Sequence, residues 1–552
     1  MKVVIVGGVA GGATAAARLR RLDESAEIVM IEKTGFVSYA NCGLPYYLGK
    51  VIEKESALSL QSPDSFWQRF HVKARVNSEV LSIDRAAKSV RVRGADGAEY
   101  DESYDKLILS PGARAIKPRL PGVEHPRIMQ LKTVEDCLSI AKQLESGAVR
   151  KAVVVGGGFI GLEAAENLIF RGIDTSIVEL GDQVMPALDY DMASAVHAYL
   201  RYMNVKLLLG RGVTGFREEG EELMVQISDD SELAADLVVL AIGVSPDTAI
   251  ARDAGLKLGN RNAIVVDEHM LSSDPDIYAV GDAIEVRHFV SDERSLIPLA
   301  GPANKQGRIA ADNIAGIKSV YRGSLGTSIL KIFDMSVAST GLSERAAKQA
   351  KIEYDKVVTF SASHATYYPG ATNMTIKTLF DPLSGRILGA QITGADGVDK
   401  RIDVLATAIR SGLSSNDLEE LELAYAPPYS SAKDPVNMVG FVIENVRHER
   451  VKQWHWHDLG KLPANAVLLD VRTDKEYERG HFKGSVHIPL DSLRVKLNTL
   501  DKTRPHYVNC HSALRSYIAC RILSQNGFDC YNLSGGFRFC DQIAECADFI
   551  EK

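Results

Sequence analysis

The sequence predicts an α/β protein of several domains, and three observations carry that prediction. A β-branched run, a glycine-rich turn and a helix follow one another over residues 3–22, and the same order returns from residue 151. Strand and turn signals then restart beyond the charged stretch Arg447-His448-Glu449-Arg450-Val451-Lys452. A chain of 552 residues is too long for one core, so three or four domains are expected. Its 45% hydrophobic and 24% charged residues are those of a soluble globular protein. A net charge of -7 argues against a nucleic-acid partner and leaves room for a local basic patch. No apolar run approaches the roughly eighteen residues that a membrane helix needs.

Residues 3–6 read as a buried strand, Gly7-Gly8-Val9-Ala10-Gly11-Gly12 as a tight turn, and residues 13–22 as an alanine-rich helix. The apolar start is too short for a signal peptide and ends in glycines, which predicts a cytoplasmic protein. A second strand, Glu27 to Glu32, closes in an acid. Strand, turn, helix N-terminus and carboxylate are what a Rossmann-like dinucleotide site requires: Gly7 and Gly12 admit the pyrophosphate, and Glu32 accepts from the ribose hydroxyls. Valine at position 9 stands where the middle glycine usually sits.

The second copy is complete, with a strand at 151–155, glycines at Gly156, Gly158 and Gly161, and a second strand ending in Glu179. Two such units imply two dinucleotides, FAD in the first and a nicotinamide in the second. Glu179 would repel a 2′-phosphate, which favours NADH over NADPH. Residues 104–112 and 277–283 each predict a further strand and turn. Asp282, at the end of the latter, would alone be a helix cap, but after two nucleotide units it is placed as acceptor for the flavin ribityl chain.

The seven cysteines are too few and too unevenly spaced for a disulfide scaffold. Five of them lie from position 510 onward without zinc-finger spacing, so no metal site is predicted. Cys42 stands alone in Ser38-Tyr39-Ala40-Asn41-Cys42-Gly43-Leu44-Pro45. An unpaired cysteine is most often a small buried hydrophobe, so a redox role for Cys42 has to be argued from its surroundings.

Gly-Gly-Val-Ala-Gly-Gly, Ser-Tyr-Ala-Asn-Cys-Gly-Leu-Pro-Tyr-Tyr, Gly-Gly-Gly-Phe-Ile-Gly, Tyr-Ala-Val-Gly-Asp-Ala and Tyr-Ala-Pro-Pro-Tyr-Ser-Ser-Ala-Lys-Asp-Pro-Val-Asn together make residues 1 to about 445 resemble the flavoprotein disulfide reductase superfamily. The resemblance is to its coenzyme A-disulfide reductase group, with NADH oxidase, NADH peroxidase and persulfide reductase relatives. It implies an FAD-binding domain at 1–112 and 245–322, an NADH-binding domain at 113–244, and an α+β dimerisation domain at 323–445, hence a homodimer. Two-cysteine members of the superfamily use a Cys-x4-Cys disulfide. Here Cys42 has no such partner, so it would store its oxidising equivalent as a mixed disulfide, a persulfide or a sulfenic acid.

Thr14, Arg18 and Arg21 recur at intervals of four and three, on one helical face. Unaided, that face reads as solvated surface. The resemblance makes it the seat of coenzyme A phosphates, with Ser38 and Asn41 positioning the pantetheine arm or the Cys42 sulfur. It also implies that Tyr367 and Tyr425, in two proline-punctuated loops, reach across the dimer to Cys42, with Lys433 completing the site.

Residues 446–456 read as a linker, and 457–552 as a separate domain. Cys510 ends a strand at 506–510 and opens a loop onto a helix, where backbone N–H groups and the helix dipole favour a thiolate or bound persulfide. Asp470-Val471-Arg472, Gly480-His481, Gly484, Pro489, Cys510, Arg515 and Gly535-Gly536 make this domain resemble a rhodanese. Ala513 departs from that pattern by standing where the loop usually has glycine. An inactive rhodanese-like regulatory module is the plain alternative.

These readings predict an FAD- and NADH-dependent reductase of persulfides, polysulfides or coenzyme A disulfides. Cys42 is the redox sulfur, Cys510 carries or delivers sulfane sulfur, and coenzyme A is bound thiol or substrate. The alternatives are an NADH oxidase or peroxidase cycling through a Cys42 sulfenic acid, and a flavin-binding redox sensor.

Overall fold

The computed structural model describes residues 1–552. The chain divides into two compact units, one of residues 1–184 and 205–326, the other of residues 185–204 and 327–552.

The first unit is built on two parallel sheets. One runs in the order Ile277–Ala279, Lys106–Leu109, Lys2–Val6, Glu27–Ile31, Val72–Arg75. The other runs Lys206–Leu208, Asp174–Val178, Lys151–Val155, Leu237–Leu240, Ile128–Gln130. Their central strands are unbroken apolar runs because helices cover both faces, as parallel sheets require. The helix after the first glycine turn spans Ala10–Leu22, three residues earlier than its alanine pattern predicts. It buries Ala13, Ala15, Ala16 and Leu19. Small side chains on that stripe let helix Ala300–Ile314 pack alongside, close enough that a Cβ on Gly307 would come within 2.3 Å of the Gly11 carbonyl oxygen. An antiparallel pair, Ala113–Ala115 with Val244–Pro246, carries the chain out of and back from the second sheet.

The second unit contains an antiparallel sheet in the order Ser328–Ile332, Met335–Gly341, Ile387–Gly394, Asn373–Phe380, Asp355–Ala362, packed by helices Val398–Ser411 and Pro435–Arg447. Helix Tyr190–Tyr202, borrowed from the middle of the nucleotide-binding sequence, packs on the same sheet. Fully buried Lys377 joins these pieces. Its ammonium lies 3.0 Å from Asp189, 2.7 Å from Asp191 and 2.5 Å from Glu344, and the Trp456 indole N–H donates to Asp191 at 3.2 Å. The three carboxylates could in principle hold a cation, but the lysine ammonium occupies the centre of the group.

A parallel sheet follows, in the order Lys452–Trp454, Cys530–Leu533, His506–Asn509, Val467–Asp470, Val486–His487. This corrects the linker expected at 446–456. Helix Pro435–Arg447 occupies its start, and Lys452–Trp454 is an edge strand of the C-terminal sheet. That sheet's edge strand Val486–His487 is only two residues long. No helix is long and apolar enough to cross a membrane.

Candidate functional site

Both glycine turns have the shape a dinucleotide cradle needs. Gly7 has φ +95°, and a Cβ there would sit 2.0 Å from the Ser110 carbonyl oxygen. Gly156 repeats this with φ +111° and 2.3 Å to the Ala241 oxygen. A Cβ at Gly158 would meet nothing, which leaves the N-terminus of helix Phe159–Phe170 open to a pyrophosphate. Glu32 accepts from the Gly8 N–H at 2.8 Å and the Thr34 N–H at 2.9 Å. Glu179 does the same from Gly157 at 2.6 Å and Gly181 at 2.7 Å. A cavity of about 150 Å3 lies beside Gly7, Glu32 and Pro111. The residues present therefore fit two dinucleotides.

Cys42 lies exposed in the short turn Asn41–Gly43, ahead of helix Leu44–Leu48. The turn is held by the Ser38 N–H donating to the Gly8 oxygen at 2.7 Å and by Ser38 itself in the left-handed region at φ 48°. Partial desolvation, Glu163 and Asp282 push the Cys42 thiol up, and Lys132 opposes them. Asp282 sits in the turn Gly281–Ala283, 3.8 Å from the Lys132 ammonium, and burial raises its carboxyl. Burial pushes Glu163 up to about 7, against a 3.4 Å hydrogen bond from the Tyr46 hydroxyl. Glu163, Lys132 and Tyr46 went unread in the sequence. A carboxylate in the apolar run Phe159-Ile160-Gly161-Leu162-Glu163-Ala164-Ala165 was the available signal.

Thr14, Arg18 and Arg21 share one helix, but two of the three are engaged within the protein. Thr14 donates to Asn304 at 2.5 Å, and Arg18 Nε donates to Asp312 at 2.7 Å. Arg21 is exposed.

In the second unit the Tyr367 and Tyr425 hydroxyls are 2.7 Å apart, and both rings are exposed. Buried Arg401 ties their loops together. Its Nη2 donates to the Ser363 oxygen at 2.9 Å and to Ser430 and Asp434, each at 3.0 Å. Lys433 is exposed beside Asp434.

Cys510 is fully buried at the base of its loop, where the Ser516 hydroxyl donates to the sulfur at 3.2 Å. Arg515 forms a bidentate pair with Glu476, both bonds 2.7 Å, which pulls the Glu476 carboxyl down to about 2. Ala513 takes φ +68°. The glycine expected there would adopt that conformation freely, whereas alanine holds it at a cost of about 1–2 kcal/mol. Asp470 and Arg472 form a buried ion pair at 2.7 Å, with the guanidinium 4.0 Å from the centre of the Phe537 ring, so that motif braces the loop.

These features define a two-dinucleotide redox protein with a cysteine-bearing turn, and the comparisons agree. Residues 1–307 match the pyridine nucleotide-disulphide oxidoreductase family, 327–435 its dimerisation domain and 452–538 the rhodanese-like domain. The chain belongs to the pyridine nucleotide-disulphide oxidoreductase family. Within that class it is similar over 100% of its length to 99% of reduced Bacillus anthracis CoADR-RHD, at 45% identity and TM-score 0.97. It is similar over 98% of its length to all of a NAD-dependent persulfide reductase from A. fulgidus, at 37% identity and TM-score 0.92. A coenzyme A disulfide reductase of Staphylococcus haemolyticus is 34% identical over 80% of this chain and 98% of its own length. An NADH oxidase of Methanocaldococcus jannaschii is 33% identical over 79% and 97%.

Proposed function

We propose that the chain is an FAD- and NADH-dependent reductase of sulfane sulfur and coenzyme A disulfides, working as a cytoplasmic homodimer. The observation that carries this reading is the presence, in one chain, of a lone exposed Cys42 beside the first glycine turn and of Cys510 within a rhodanese-like domain. A second thiol for Cys42 within its own turn is absent, so each cycle passes through a bond to an external atom, which in this reading is sulfur.

Gly7, Gly12, Glu32 and Asp282 would hold FAD, and Gly156, Gly158, Gly161 and Glu179 would hold NADH. Bound there, the two cofactors would supply two electrons to the Cys42 sulfur. The Cys42 thiolate attacks the outer sulfur of a persulfide R–S–SH, forming a Cys42–S–SH bond and releasing RS⁻. Two electrons then cleave that bond, releasing HS⁻ and restoring the thiolate. With a disulfide substrate the same attack leaves a mixed disulfide, and reduction frees the second thiol. Tyr367 and Tyr425 are assigned as proton donors to the departing thiolate, a role their mutual hydrogen bond supports by ordering the pair. Thr14, Arg18, Arg21, Ser38, Asn41 and Lys433 are assigned to coenzyme A. Arg18 keeps its terminal nitrogens for a phosphate while Asp312 fixes its Nε edge. Cys510 takes sulfane sulfur from a donor, with Arg515 shaping the loop.

The NADH oxidase relative supports a second reading, in which Cys42 cycles through a sulfenic acid. Steady-state assays with NADH separate the two. Polysulfide or coenzyme A persulfide should turn over faster than oxygen or hydrogen peroxide, and the reverse order would replace the sulfur reading with the oxidase reading.

A further inference from the structure

Three guanidiniums act on the Cys510 loop, and two of them are neutralised within the protein. Arg515 is held bidentately by Glu476, and Arg472 lies in its buried pair with Asp470. Arg538 is the third. Its backbone N–H donates to the His511 oxygen at 3.0 Å, one residue beyond Cys510, and the preceding Phe537 N–H donates to the Cys510 oxygen itself at 2.7 Å. The Arg538 side chain has no carboxylate partner and makes no hydrogen bond; its guanidinium lies 5.2 Å from the centre of the Phe360 ring. Phe360, on strand Asp355–Ala362, lines one small cavity together with loop residues 512–514, so the stacked guanidinium stays beside the loop.

Desolvation alone pulls Arg538 below the ordinary arginine range, with no acid opposing it. Its charge reaches the loop: after partial desolvation, Arg538 is the chief cause pushing the His511 imidazole down, ahead of Arg515 and Arg472. A cation kept partly desolvated without a counter-ion is unfavourable, and an aromatic face leaves the N–H edge of the guanidinium unused. That edge is a planar fork, which matches a carboxylate bidentately. A phosphate dianion would draw on a second free cation, which Arg472 and Arg515 do not provide and which a His511 held neutral does not supply.

We propose that Arg538 selects the sulfur donor of Cys510 by pairing with a carboxylate on it, so that persulfides of small carboxylate-bearing thiols load Cys510 in preference to neutral ones. Cys510 remains the acceptor of sulfane sulfur proposed above, and Arg538 adds the class of donor. In the loading step the Cys510 thiolate attacks the outer sulfur of R–S–SH, the S–S bond breaks, RS⁻ leaves with its electron pair and Cys510–S–SH forms. Arg538 holds the carboxylate of R through this exchange and gives up no proton.

The test uses the full-length holoenzyme and two donors, the hydropersulfides of 3-mercaptopropionate and of 2-mercaptoethanol, with loading of Cys510 read by peptide mass as the gain of one sulfur. In the unaltered protein the carboxylate donor should half-saturate loading at about tenfold lower concentration than the neutral one. Arg538→Gln should raise that concentration about tenfold for the carboxylate donor while its maximal rate, and both constants for the neutral donor, stay as they were. Arg538→Lys should recover part of the preference, since an ammonium keeps the charge and loses the fork. Propionate should slow loading of the unaltered protein by the carboxylate donor and not that of Arg538→Gln, whereas propionamide should slow neither. Equal weakening of both donors in Arg538→Gln would reduce Arg538 to a structural contact and overturn the proposal. An unchanged preference in that variant, or equal use of both donors by the unaltered protein, would overturn it as well. Failure of either donor to load Cys510 at all would instead overturn the acceptor role of Cys510, and the proposal with it.

Discussion

Glu163 is the side chain whose chemistry depends most on its surroundings. Burial holds its proton to about pH 7, and the ionised form works against the Cys42 thiolate. A carboxyl with a raised folded-state pKa leaves the folded protein with more bound protons than the unfolded chain, so its contribution to stability falls as pH rises between the ordinary carboxylate range and about 7. Glu163→Gln should therefore raise thermal stability at pH 8. It should also speed iodoacetamide labelling of Cys42 at that pH by about threefold, with the inflection near neutrality lost from the pH profile. Cys42, Glu32 and Glu179 were legible in the sequence because their motifs are local. Glu163 was not, because its meaning depends on Cys42 and Tyr46 from a distant segment. Glu476 was half legible. Thr473 and Glu476 have capping-box spacing, and the structure shows that box formed, but the bond to Arg515 crosses from another element.

Among the elements, helix Tyr190–Tyr202 and strand Asn373–Phe380 are locked by charge rather than by apolar packing alone. Lys377 is 0% exposed, and its three carboxylate neighbours hold the ammonium well above the usual lysine range while keeping Glu344 well below the carboxylate range. Removing the cation leaves these buried carboxylates without their common partner. Lys377→Met should cost about 3–5 kcal/mol in denaturant unfolding, far more than its change in apolar area would suggest. Parallel strands such as Lys2–Val6 and Lys151–Val155 were readable as unbroken apolar runs between turn signals. Strand Lys452–Trp454 was not, since it is three residues long, starts with lysine and follows a run of charges. Its pairing with Cys530–Leu533 is a tertiary fact that no local pattern carries.

Across the whole molecule, the Cys42 turn belongs to one compact unit and the Cys510 loop to the other. The proposed division of labour can be tested on the intact chain. Cys42→Ser should abolish NADH-driven reduction of every sulfur substrate, whereas Cys510→Ser should leave reduction of coenzyme A disulfide within about twofold and lower only the reactions that need sulfane-sulfur delivery. Equal loss in both variants would merge the two roles. The order of domains was legible because each announces itself in a short motif. The transfer of residues 185–204 into the second unit was not, because sequence adjacency pointed to the nucleotide-binding sheet around them.

That borrowed helix also bears on how the chain is made. During synthesis from the N-terminus, Met192, Val196 and Leu200 leave the ribosome long before the sheet that buries them, and Asp189 and Asp191 wait equally long for Lys377. The flanking strands Asp174–Val178 and Lys206–Leu208 can pair meanwhile, which holds residues 185–204 out as a loop with an unburied apolar face. Until the later strands arrive, this loop is open to chaperone capture or misassociation with a neighbouring copy.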